Sequence, residues 1–231
     1  MDNIKLELPK NLRAITLTEY QKYSKIVTAN PDASQEFLEI KIMEIFCGLK
    51  YKDIEGLPVG IFDDAISWVM TLLTQKTPLV KRFKMVGSDG VEVEFGFIPN
   101  LDAMTMGEYI DLNNYLNSAE DLSKAMAVLY RPIHPSFEGK ENYRISSYEG
   151  TSKYGEIMKD MPLDVALGAK VFFYRLGNKL SSHILNSFQQ HSLLGATLSE
   201  EEKIVLTKNM LGIKNYMLSQ EEMHYKSMQL R

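Results

Sequence analysis

The stretch KRFKMVGSDGVEVEFGF, residues 81–97, decides the fold class of this chain. Its apolar residues Phe83, Met85, Val91, Val93, Phe95 and Phe97 all carry odd numbers, so they share faces at a strand's period of two. Val86, beside the turn, is the exception. A three-residue loop, Ser88-Asp89-Gly90, sets Met85 opposite Val93 and Phe83 opposite Phe95, with Lys84 across from Glu94 on the other face. A four-residue loop would set Phe83 opposite Glu94 and mix the faces, so the pattern selects the shorter loop. Gly90 then takes the left-handed position that such a loop requires. The basic run Lys81, Arg82 and Lys84 faces Glu92 and Glu94, so the hairpin neutralises its own charge and offers no stripe for nucleic acid.

On either side the periodicity is helical. Thr16 and Glu19 stand in capping-box spacing, and Leu17, Tyr20, Tyr23 and Val27 line one helical face up to a break at Asn30-Pro31-Asp32. SQEFLEIKIMEIFCGL, from Ser34, continues as a helix that ends near Gly48. A short helical turn follows, then Leu57-Pro58, then a helix from about Phe62 to Thr74. Beyond Pro99, Thr105 and Glu108 repeat the capping-box spacing and start a helix that reaches about Asn117. Ser118 is expected to cap the next one, AEDLSKAMAVLY, which Pro132 closes.

Residues 134–155 are polar and read as the longest loop, with RISSY inside it able to add a short strand; a short helix around 154–159 follows. From Met161-Pro162 the chain reads as one long helix. Its first half is apolar nearly all round, which predicts burial of Phe172, Phe173 and Leu176. SEEEKIVLTKNM starts another helix after Gly195, and the last residues are amphipathic.

The expected fold is therefore α+β and mostly α-helical: a helical core with a small antiparallel sheet at about 80–97, which residues 4–8 (IKLEL) can join. The pattern divides into 1–98, helices plus hairpin; 99–190, a helical core around the long helix; and 191–231, a helical extension, packed as one compact unit.

The 231 residues have ordinary globular composition, and a net charge of −4 supplies no basic field for nucleic acid. Cys47, the single cysteine, lies in IFCGL and reads as a buried small hydrophobe. No apolar run has spanning length, and the first residues lack a signal-peptide core, so a soluble protein is expected. Thirteen methionines and twelve tyrosines suit gap filling in a helical core, or a surface that adapts to a partner.

No pattern of chemistry emerges. His134, His183, His191 and His224 contain no i, i+4 pair, and one cysteine completes no thiolate cage, so no metal and no cofactor are expected. GSDG is the hairpin turn and lacks the lysine of a phosphate loop. Glu108 and Asp111, three apart, meet on a helix and form the best candidate acid/base pair. The simpler reading makes Glu108 the partner of Thr105 in the cap and leaves Asp111 solvated, so that amide replacements at both are expected to leave function near wild type. No catalytic residue is expected.

The LTEYQK helix, the helix ending IFCGLKYKDIEGLP, the charged hairpin, LDAMTMGEYIDL, KAMAVLYRPI and MPLDVALGAKVFFYRLGNKL, taken in this order, resemble virion-morphogenesis proteins of tailed bacteriophages. The likeness is to the tail-assembly-chaperone-like group, which includes small tail and baseplate assembly proteins of contractile-tailed phages, and covers most of residues 12–185. It implies a non-enzymatic protein that binds other virion proteins (tail, tape-measure, baseplate or connector subunits) in the host cytoplasm during assembly. A homo-oligomer is compatible with it. The alternatives are a permanent virion subunit, such as a ring or adaptor at the head–tail junction, tail or baseplate, and an enzyme of unknown type.

In that setting Gly107 would let the helix start approach another backbone, Ile110 and Leu112 would anchor the core, and Arg131-Pro132 would end the helix beside it. The expected partner-binding set is Tyr216, Met217, Met223 and Met228, an adaptable apolar group near the C-terminus.

Overall fold

The computed structural model describes residues 5–86, 90–116, 118–137 and 140–173. The chain divides into two compact units, Met1–Ala169 and Lys170–Arg231. The first takes in both the hairpin and the helices that follow it. Its described part is α+β and mostly helical.

Helix α1 spans Leu17–Ala29, and its capping box forms as the sequence predicts. The Thr16 N–H donates to Glu19 Oε2 at 2.7 Å, and the Glu19 N–H returns to Thr16 Oγ1 at 3.2 Å. Helix α2 spans Gln35–Phe46, capped by Ser34, whose hydroxyl accepts from the Phe37 N–H at 3.2 Å. Gly48 follows at φ +66, the left-handed geometry that ends helices. Cys47 is buried against Met43, and burial pushes its thiol up to about 11, so it stays a protonated packing group. Helix α3 is the short turn Tyr51–Glu55. Helix α4 covers Val59–Thr74, starting directly after Pro58 and three residues before the expected Phe62.

The hairpin has the predicted register. Strands β1 (Arg82–Val86) and β2 (Glu92–Phe97) pair Phe83 with Phe95, Lys84 with Glu94 and Met85 with Val93. Gly90 stands at φ +79; Ser88 and Asp89 lie outside the described residues. The ion pairs run diagonally across this register: Arg82 forks onto Glu94 at 2.8 and 2.9 Å, and Lys84 reaches Glu92 at 2.8 Å. Val91, expected on the apolar face, is exposed beside the turn.

The third strand differs from expectation. Residues 5–8 form no strand. Instead β3, Tyr130–Pro132, pairs antiparallel with β2, giving the order β1-β2-β3. A three-residue strand ending in proline suits a sheet edge, where the missing N–H breaks no ladder. RISSY adds one bridge beyond it, Ile145 to Ile133.

Helix α5 (Met106–Leu116) lies against α6 (Leu122–Leu129), which runs straight into β3. Ser118 does not cap α6; Asp121 holds that position, without a side-chain bond to the helix backbone. Gln21 of α1 clamps the turn before α6 instead, its amide donating to the Ala119 and Glu120 carbonyls at 2.9 and 2.7 Å. Helix α7 is Ser152–Gly155, followed by a 3-10 turn at Ile157–Asp160. A further helix, α8, is described over 163–173.

The core joins α6, the sheet and the start of α8: Leu122, Met126, Leu129, Tyr130, Phe95, Met158, Met161 and Leu163 are fully buried. Tyr130 sits at its centre, its ring edge-on to Phe83 and Phe97, its hydroxyl donating to the Val80 carbonyl at 2.7 Å. The buried methionines Met43, Met85, Met126, Met158 and Met161 fill core space. Of the second unit, residues 170–173 are described. Lys170 is buried, which lowers its ammonium to about 8. Phe172 and Phe173, expected in the core, are only partly buried, and their rings meet edge-on at 5.4 Å. Leu176 and the rest of the chain lie outside the described residues.

Two glycine substitutions separate backbone strain from crowding. Nothing lies within 4 Å of a Cβ at Gly90, so Gly90→Val tests φ alone and is expected to destabilise by more than about 1 kcal/mol. Equal melting midpoints would remove the left-handed turn from the account. At Gly168 in α8, a Cβ would stand 2.2 Å from the Pro78 carbonyl oxygen. Gly168→Ala therefore loses roughly 1–3 kcal/mol to overpacking despite alanine's better helix propensity. Gly107→Ala, with nothing within 4 Å, is the control and stabilises by a few tenths to about 1 kcal/mol in denaturant titration.

Candidate interaction surface

The segment 105–116 gives its two acids structural partners and leaves Met106, Tyr109 and Ile110 exposed, while Leu112 is buried. The capping box forms: the Thr105 N–H donates to Glu108 Oε2 at 2.6 Å, and the Glu108 N–H donates to Thr105 Oγ1 at 3.3 Å. That leaves Oε1 of Glu108, which meets Arg131 Nη2 at 2.6 Å. Both side chains are almost fully enclosed, Arg131 at 7% and Glu108 at 5% exposure. The pair ties the first turn of α5 to β3, across twenty-three residues of sequence.

Burial by itself would raise the Glu108 carboxyl, since a charge loses its hydration there. The Thr105 hydrogen bonds and the Arg131 guanidinium outweigh that and hold it below the ordinary 4.5. Glu108 is therefore an ionised structural partner near neutral pH, with no proton to donate.

Asp111, expected to be solvated, is partly buried and has a hydrogen-bond partner. The Tyr148 hydroxyl donates to its Oδ2, and the Tyr148 ring lies under the Arg131 guanidinium at 5.6 Å. Burial and the neighbouring Asp111 carboxylate push the Tyr148 phenol up, so it remains a donor. Thus the two acids do share a face of α5, as their spacing implies, and each is taken up by a structural partner. Among the described residues Arg131 Nε has no hydrogen-bond partner.

Tyr148 belongs to the long polar loop, which is fastened at several points. The His134 N–H donates to the Arg144 carbonyl at 2.8 Å, and the Ser146 N–H to the Pro132 carbonyl at 2.9 Å. Tyr143 lies across Gly96, where a Cβ would come 2.4 Å from its ring, and donates to the Phe97 carbonyl at 2.8 Å. Arg82 stacks on that ring at 5.2 Å. The sequence marks this stretch as a loop, and nothing local to it discloses that Tyr143 meets Gly96 or that Tyr148 meets Asp111.

With Glu108 buried and Asp111 bonded to Tyr148, the outer side of α5 is left to Met106, Tyr109 and Ile110, at 72%, 52% and 50% exposure. They stand at i, i+3 and i+4, one stripe without a charge. The expectation that Ile110 and Leu112 anchor the core together fails for Ile110; Leu112 alone is buried. Gly107 likewise makes no close backbone approach, with nothing within 4 Å of its Cβ position.

Among the described residues no group of three His, Cys, Asp or Glu side chains is placed to hold a metal ion. No described helix is long and apolar enough to cross a membrane. Tyr216, Met217, Met223 and Met228, and His183, His191 and His224, lie outside the described residues. Comparison with protein-family models, curated proteins and solved structures finds no match.

The ion pair makes Glu108→Gln a change in stability, which the cap alone does not disclose. That change leaves the Arg131 charge buried without a counterion and is expected to destabilise by roughly 3 kcal/mol in denaturant titration. The pH dependence has a definite sign. A carboxyl whose folded pKa is depressed stabilises fully above its unfolded value, and that stabilisation is lost as pH falls through the folded value. As pH falls below the ordinary carboxyl range, the wild-type melting temperature should therefore drop more steeply than that of Glu108→Gln. Parallel profiles would show that Glu108 is not the ionised partner of Arg131.

Proposed function

We propose that this chain is a non-enzymatic bacteriophage morphogenesis protein that binds other virion proteins, most like a tail assembly chaperone. The observation that supports this reading is the outer side of α5: Glu108 and Asp111 are taken up by Arg131 and Tyr148, and Met106, Tyr109 and Ile110 are exposed. A helix held this way presents an apolar stripe on a rigid base, at low ordering cost to a partner. The order of motifs along residues 12–185, which resembles tail-assembly-chaperone-like proteins, supports the same conclusion. The occupant proposed for the stripe is a tail or tape-measure subunit segment whose contacting side is apolar and uncharged. The C-terminal set Tyr216, Met217, Met223 and Met228 is a second proposed contact.

Exposed positions tolerate substitution within about 0.5 kcal/mol, so Ile110→Asp should melt like wild type. It should nonetheless lower the yield of infectious particles at least tenfold in a complementation assay, because a desolvated, unpaired carboxylate costs several kcal/mol in an interface. Full yield from a folded Ile110→Asp protein removes α5 from the binding surface. Mass spectrometry of purified particles separates a chaperone, absent from the virion, from a permanent subunit present at fixed stoichiometry. Deleting residues 214–231 tests the second contact in the same assay.

A further inference from the structure

We draw no further inference here: the strongest candidate, the polar cleft of about 300 Å³ between the starts of α6 and α7, lined by Ser123, Lys124, Thr151, Ser152 and Lys159, has its two lysines paired with Asp121 and Glu156 and no unpartnered buried polar group aimed into it, so nothing in the structure points to a ligand.

Discussion

Arg131 carries a guanidinium into the interior at the point where α6 has just become β3, and a charge placed there must be matched. Glu108 is the match. The pair stabilises the fold little against two well-packed apolar residues, because both ions lose their hydration. Its importance is geometric. One carboxylate oxygen is fixed by the Thr105 amide and the other by the guanidinium, so the rotation of α5 about its axis is set from both sides. Asp111, one turn along, then faces inward as well and takes Tyr148. The outward stripe of Met106, Tyr109 and Ile110 is what that rotation leaves over.

The same contact organises the long loop. Tyr148 covers the guanidinium and holds Asp111, while Tyr143 covers Gly96, the β2 residue paired with Arg131. Two tyrosines of one loop thus bracket the same rung of the sheet. A glycine in a central strand ordinarily weakens it, by losing packing and adding backbone freedom. Here its missing side chain makes room for the Tyr143 ring, which Arg82 then stacks against. Loop, sheet and α5 hold one another, although few of these contacts are between sequence neighbours.

Local signals made much of this legible from the sequence. Odd-numbered apolar residues gave the hairpin register, and Thr-x-x-Glu spacing gave the starts of α1 and α5, because each is written within a few residues. The strand at 130–132 is hidden in the sequence: residues 125–131, the end of α6 and the start of β3, form one unbroken buried run in which neither period shows. Residues 4–8 alternate better than 130–132 do, yet residues 5–8 form no strand. Glu108 was misjudged for a different reason. Its role in the cap accounts for one oxygen, and nothing local discloses that the second faces an arginine twenty-three residues away. Once that partner is missed, Asp111 reads as solvated and Ile110 as core, and both readings fail together.

The central claim is that Glu108 and Arg131 act as one unit, and a double-mutant cycle measures it directly. Glu108→Gln, Arg131→Met and the double variant would be compared with wild type by denaturant unfolding at neutral pH. Removing either charge alone strands the other, so each single change is expected to be severe and the double change milder than their sum. The predicted coupling is at least about 2 kcal/mol, within the range for residues sharing one network. Additive losses, with coupling inside about 0.5 kcal/mol, would contradict the account.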